Sequence, residues 1–255
     1  MNFELSEEQK MIQQSVERFV QENYDLPKRV EISSKDPGYS KDYWGSMAEL
    51  GWLGLPFNEE DGGFGGNQID TLVIMEQFGK GLVLEPFLAN VVLGGGAIQM
   101  GGSEELKKEI LPSLIEGTKQ VTLAYAEQQS RFDLEDVATS ARLDGDKYII
   151  NGQKSMVLNA ESADHLVIVT RTSGGQVDEE GITLFLVDSD TKGLEKQNFP
   201  TVDGLRASEI TLENVEVGTE RIIGDIDKGF EILKAVSNNG ILALCAEAVG
   251  AMEIL

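Results

Sequence analysis

The sequence predicts an α+β multidomain protein: an N-terminal α-helical domain, a middle β-barrel-like domain, and the first helix of a C-terminal α-helical bundle. Three observations predict it. Apolar residues recur at helical spacing up to about residue 118 and alternate from Val121 onward. Asp144-Gly145 and Asn151-Gly152 are dipeptides of the kind that close twisted two-residue hairpins. From Ile241 to Leu255 the chain is apolar nearly all round, with only Glu247 and Glu253 charged, as befits a helix inside a bundle. The expected domains are 1–118, 119–225 and 226–255.

Ser6 followed by Gln9 makes a capping box, and Ile12, Val16, Phe19 and Val20 then keep helical spacing, so a helix starts near Ser6. Trp44, Met47, Leu50 and Trp52 form a second apolar cluster, punctuated by Gly51 and Gly54 and ended by Leu55-Pro56. Residues 68–80 read as another helix. Ser103 caps a segment in which Leu106, Ile110, Leu111 and Leu114 share a face, with Pro112 bending or ending it. Strands are expected near 136–143, 147–150, 153–158, 165–171, 181–187 and 208–213, a spacing that suggests a small barrel or sandwich. After Gly229 helical spacing returns through Phe230, Leu233, Val236, Ile241, Leu244 and Ala248. Its last stretch reads as too short and interrupted for a membrane span, so the helices that bury it are expected from outside this chain.

Composition narrows the function. The 255 residues carry a net charge of -23, which argues against nucleic acid and anionic membranes, since both need a basic footprint. Cys245 is the lone cysteine and His165 the lone histidine. Disulfides and multi-cysteine metal sites are therefore excluded, and no metal site is expected. His165 reads as a partly exposed strand residue rather than a triad member. The start, MNFELSEEQK, lacks a charged-then-apolar leader, and the cytoplasm is the expected location. Gly62-Gly63-Phe64-Gly65-Gly66 and Gly94-Gly95-Gly96 match neither phosphate-loop spacing and read as turns.

Five motifs in order carry a resemblance: Leu53-Gly54-Leu55-Pro56 with Gly62-Gly63-x-Gly65; Gly101-Gly102-Ser103 leading to Leu111-Pro112; residues 145–172; Asp203-Gly204-Leu205-Arg206-Ala207-Ser208 with Leu212-x-Asn214-Val215-x-Val217; and Gly224 with Gly229-Phe230. Together they resemble the acyl-CoA dehydrogenase family. Val157-Leu158, Asp203 to Ala207 and Leu244 to Met252 look most like the small subunits of heteromeric, pimeloyl-CoA-type members.

The resemblance implies FAD-dependent α,β-dehydrogenation of an acyl-CoA thioester, within fatty acid metabolism. A glutamate takes the α proton and the β hydride goes to N5 of FAD. It also implies partners: a second acyl-CoA dehydrogenase subunit or a homo-oligomer, and electron-transfer flavoprotein as acceptor. The family's flavin loop, Thr-Glu-Pro and then Ser-Asp, corresponds here to Ala126-Glu127-Gln128 and Phe132-Asp133, with both hydroxyls gone. Its Trp-Ile-Thr/Ser-Asn corresponds to Met156-Val157-Leu158-Asn159. Methionine still pads a ring, whereas leucine donates no hydrogen bond. The cofactor-binding candidates are thus Tyr125, Ala126, Arg131, Met156, Val157 and Leu158. Core packing is an equal reading for Met156 and Leu158, and a surface ion pair with Asp133 or Glu135 is favoured for Arg131. The substrate-binding candidates are Phe132, Asn238 and Ile241, the latter two standing where the family has Asp-x-x-Arg. Gly240 occupies the base position of the isovaleryl-type branch, so no catalytic residue is assigned. Glu127 and Glu247 match no base position and read as turn or surface carboxylates. Weak or partner-dependent FAD binding and no turnover by the chain alone are the expectations, with a non-catalytic structural subunit as the alternative.

Overall fold

The computed structural model describes residues 4–255; Met1 to Phe3, at the head of the segment read as lacking a leader, lie outside the described residues. Ser6 opens α1 (Glu7–Asn23) through the expected reciprocal cap: its hydroxyl accepts from the Gln9 amide at 3.1 Å, and the Gln9 side chain accepts from the Ser6 amide at 3.0 Å. That satisfies two amides that a helix start leaves unpaired. After α2 (Leu26–Ser33), α3 (Lys41–Glu49) and the turn behind it bury Trp44, Met47 and Trp52, while Leu50 of the same apolar cluster faces outward. The helix expected over 68–80 is α4 (Gln68–Gly81).

The second glycine cluster departs from expectation. Gly94-Gly95-Gly96 is helical, lying where a π-helical segment (Leu88–Gly95) runs into α5 (Gly96–Gly101). A Cβ on Gly94 would come within 2.8 Å of Val121, and one on Gly95 within 2.7 Å of Phe57. The glycines therefore let the helix press onto its neighbours rather than turn the chain. Gly62, in contrast, does take the left-handed conformation of a turn, with φ 90°. Ser103 caps α6 (Glu104–Ile115), which carries Pro112 in its last turn and continues to Ile115.

The middle region is one mixed sheet of β1 (Val121–Ala124), β2 (Ser140–Asp144), β3 (Lys147–Leu158), β4 (His165–Arg171), β5 (Ile182–Asp188), β6 (Leu194–Pro200), β7 (Arg206–Gly218) and β8 (Ile222–Ile223). Its order is β6-β7-β3-β2-β4-β5-β8, with β1 parallel to β4. The hairpin expected at Asp144-Gly145 joins β2 to β3. The one expected at Asn151-Gly152 does not form, and the two strands predicted around it are a single bulged strand. The Asn151 side chain accepts from the Asn214 amide at 2.8 Å across to β7, and a Cβ at Gly152 would lie 2.5 Å from Thr139 Oγ1. Glycine here serves close approach at a bulge.

Two cores result. One face of the sheet encloses Ala141, Tyr148, Ile150, Phe185, Ile210 and Val215. The other presents Val167, Val169, Leu184 and Leu186 to the helices. β4 and β5 are therefore buried on both faces, which is why they read as unbroken apolar runs. His165 heads β4, with Nδ1 2.8 Å from an Asp188 carboxylate oxygen.

α7 (Phe230–Ile254) crosses α4 at backbone contact. A Cβ on Gly79 would sit 1.9 Å from the Glu247 carbonyl oxygen, and one on Gly250 1.8 Å from that of Glu76. The opposite face, with Ile241, Val249 and Met252, is exposed. The expectation of a stretch too short for a membrane span considered only its last part. The whole helix has 25 residues and a window of mean hydropathy 1.3 that is 22% buried, long and apolar enough to span by length and composition.

Candidate active site

The loop between β1 and β2 is anchored by Glu127, which starts a turn, its carbonyl accepting from the Ser130 amide at 3.2 Å, as one of the two sequence readings had it, but which is buried rather than at the surface. Its carboxylate accepts from Lys154 Nζ at 2.6 Å and from the amides of Ala138 at 2.9 Å and Thr139 at 3.0 Å. Burial alone would raise the Glu127 pKa, but attraction to Lys154 and hydrogen bonds from Lys154, Gln129 and Thr139 outweigh it and hold it below the usual value. Lys154 is pushed down to about 8, because desolvation exceeds the pull of Glu127. This pair has a structural task. It also had a signal in the sequence, since Lys154 falls on the same alternation as the inward Tyr148 and Ile150.

Beside this anchor the loop start lies along β3. The Ser155 amide donates to the Ala126 carbonyl at 2.8 Å and Lys154 Nζ to that of Tyr125 at 3.3 Å. A register shift between Lys154 and Val157 then turns the strand, and Met156 adopts φ 53°. The bulge drives Val157 into the sheet core and leaves Met156 51% exposed, so Met156 is not core. Thr122 Oγ1 donates to the Leu158 carbonyl at 2.6 Å, tying the end of β3 to β1.

There a cavity of about 210 Å³ opens between the sheet edge, α4, the 83–89 segment and α7. Leu158 and Asn159 line one side, Met75, Phe78 and Leu244 others. Glu85, which sequence reasoning missed, lines it too and is buried. Its Oε2 accepts from the Tyr24 hydroxyl and its Oε1 from the Ser40 amide at 3.1 Å. Burial pushes its carboxyl up to about 7, and raises the Tyr24 hydroxyl as well. A lone carboxylate inside the apolar run Val83-Leu84-Glu85-Pro86-Phe87 was the available signal.

The structure thus brings Tyr125, Ala126, Met156 and Leu158 together on one rim, whereas Val157, the other cofactor-binding candidate, is buried in the sheet core and offers no surface to a ligand. Arg131 is exposed, with φ 49°, and among the described residues makes no ion pair with Asp133 or Glu135. Phe132 is 96% exposed. Asn238 and Ile241 lie on the exposed face of α7, outside the lining of the cavity, while Leu244 and Glu247 of the same helix are in it. At the proposed base position, a Cβ on buried Gly240 would meet Leu93 at 2.8 Å.

Comparison with known proteins decides the ancestry of this arrangement. Residues 6–118 match the acyl-CoA dehydrogenase N-terminal domain and residues 122–215 the acyl-CoA dehydrogenase middle domain. A probable acyl-CoA dehydrogenase of Bacillus subtilis, YngJ, is 34% identical over 98% of this chain and 67% of its own length. The chain belongs to the acyl-CoA dehydrogenase family. Another relative, subunit CarC of the caffeyl-CoA reductase-Etf complex of Acetobacterium woodii, is 27% identical over 97% of this chain and 66% of its own. The solved structure of PigA with FAD and proline superposes with a TM-score of 0.90 at 26% identity, over 100% of this chain and 67% of that one. This acyl-CoA dehydrogenase chain spans about two thirds of the length of these relatives. Its fold, helical domain then mixed sheet then one further helix, is that of the family.

The rim fits a flavin ring in part. Met156 and Tyr125 offer exposed apolar surface on which an aromatic ring system can lie, whereas Ala126 and Leu158 carry no side-chain donor toward its edge. Of these four side chains, Tyr125 alone carries a hydrogen-bond donor, its hydroxyl.

Proposed function

We propose that this chain takes part in FAD-dependent α,β-dehydrogenation of an acyl-CoA thioester, as one component of a site that other polypeptide must complete. The carrying observation is the cavity that begins at Leu158 and Asn159, next to the Met156 rim, and runs between α4 and α7. Such a cleft, apolar with few polar groups, suits an acyl chain. Tyr125, Ala126, Met156 and Leu158 would hold the isoalloxazine, and FAD bound there would accept the β hydride.

The chain's own residues position rather than react. Met156, on its bulge, would cover the ring, the Glu127–Lys154 pair would keep the 125–139 loop in place, and the apolar wall would exclude water. No side chain at Gly240 can take the α proton, and Ile241 offers no cation to a substrate. The base would come from polypeptide outside this sequence, in a second subunit or in continuing helices packed on the exposed face of α7. A relative named as a subunit of a reductase-Etf complex supports both the mixed assembly and electron-transfer flavoprotein as acceptor.

The loss of the donors at Ala126 and Leu158 favours a second reading, a structural subunit that never contacts FAD. The flavin absorbance spectrum of the purified chain, with and without a co-expressed second acyl-CoA dehydrogenase subunit, separates them. We expect yellow protein in the co-expressed form, with absorbance that falls when Met156→Glu is introduced. Unchanged flavin content in that variant would support the structural reading instead.

A further inference from the structure

The cavity wall carries three carboxylates to which dehydrogenation gives no task, Glu85, Asp203 and Glu247, and Asp203 Oδ1 accepts from the Thr201 hydroxyl and from the Leu205 amide at 3.2 Å. Glu85 has both oxygens engaged, by Ser40 and Tyr24. The Glu247 side chain, on the α7 side, makes no hydrogen bond or ion pair among the described residues. Burial first, and the charge of Asp203 second, hold its pKa above the usual value. Arg206 also lines the cavity, but its guanidinium is spent elsewhere: Nη2 donates to the carbonyls of Ser33 at 3.1 Å and Lys35 at 3.4 Å, and Asp36 and Glu161 carboxylates lie 3.8 Å away. What remains is an apolar pocket with an uncompensated acidic group in its wall.

A plain alkyl tail filling this space would desolvate Glu247 further and give nothing back. A terminal carboxylate would add repulsion from Glu247, Glu85 and Asp203. A hydroxyl or an ammonium would do the opposite, donating to a half-buried carboxylate through a charge-assisted hydrogen bond, the stronger kind. We infer that the cavity selects a short acyl chain ending in a hydrogen-bond donor, with Glu247 as the specificity-determining residue. This rests on the acyl-CoA reading above and narrows its substrate class.

The test is calorimetric binding of butanoyl-CoA, 3-hydroxypropanoyl-CoA, 3-aminopropanoyl-CoA and succinyl-CoA to the chain co-expressed with a second acyl-CoA dehydrogenase subunit. The first three tails have the same number of heavy atoms. We expect the hydroxyl or the amine tail to bind at least about tenfold more tightly than butanoyl-CoA, a difference of about 1.4 kcal/mol, and succinyl-CoA most weakly. Glu247→Leu should abolish the preference. Glu247→Gln, which keeps an acceptor and the side-chain shape, should retain it for the hydroxyl and lose it for the amine. Butanoyl-CoA binding as well as either donor tail, or a preference that survives in both variants, would overturn the inference while leaving the acyl-CoA reading intact. Failure of all four thioesters to bind would remove that reading and this inference together.

Discussion

Lys154 and Glu127 form a buried ion pair, Nζ to Oε1 2.6 Å, that ties the middle of β3 to the loop beside the proposed flavin rim. Removing one partner strands the other charge in the interior. Lys154→Met should cost about 3–5 kcal/mol, the usual penalty for breaking a buried pair from one side. The double variant Lys154→Met/Glu127→Leu should lose less than the sum of the two single changes. Urea unfolding of the four proteins measures both quantities.

Gly79 and Gly250 let α4 and α7 touch backbone to backbone. A methyl group at either would overlap a carbonyl oxygen that cannot move alone, so Gly79→Ala and Gly250→Ala should each lower stability by about 3 kcal/mol, at the upper end of overpacking costs. Gly45 in α3 has no neighbouring heavy atom within 4 Å of where a Cβ would stand, and Gly45→Ala should raise stability by about 0.5–1 kcal/mol through helix propensity. Thermal melts of the three variants give the contrast.

Glu85 makes stability depend on pH. Its carboxyl, raised to about 7 from an unfolded value of 4.5, binds its proton more tightly in the folded state. The contribution is therefore fully present below about pH 4.5 and is lost as pH rises through about 7, an overall change of about 3 kcal/mol. Glu85→Gln keeps an acceptor for the Ser40 amide and removes the titration. Urea midpoints from pH 5 to 8 should fall for the wild type relative to this variant, and parallel curves would contradict the assignment.

The outer face of α7 exposes Ile241, Val249 and Met252 side by side along one helix. Apolar surface of this extent promotes association. Sedimentation of the isolated chain should show concentration-dependent self-association, and Ile241→Lys/Val249→Lys/Met252→Lys should suppress it. Monomeric behaviour of the unaltered chain at all concentrations would speak against a covering partner on this face.

The helices were legible in the sequence wherever a capping residue and an apolar stripe coincided, as at Ser6 and Ser103. The strands were legible where they alternate or run apolar. β6, LEKQNFP, escaped because it is largely exposed and polar, and Asn151-Gly152 misled because glycine serves a bulge as readily as a turn. At the site, motif positions picked out residues that lie side by side, Tyr125, Ala126, Met156 and Leu158, but not that Val157 between them is core. Glu85 and the Glu127–Lys154 pair left only a faint signal, a carboxylate inside an apolar run and a lysine on an inward alternation, since burial of a charged side chain depends on which distant elements converge on it. Met156 shows the same limit in reverse, for only the register shift beside it reveals that it faces out.

The proposed division of labour is tested most directly by enoyl-CoA formation from an acyl-CoA thioester and an artificial electron acceptor, measured for the FAD-loaded chain alone and together with a co-expressed second acyl-CoA dehydrogenase subunit. We expect no turnover by this chain alone, because Gly240 supplies no base, and turnover by the assembly that Met156→Glu impairs. Turnover by the isolated chain would contradict the proposal.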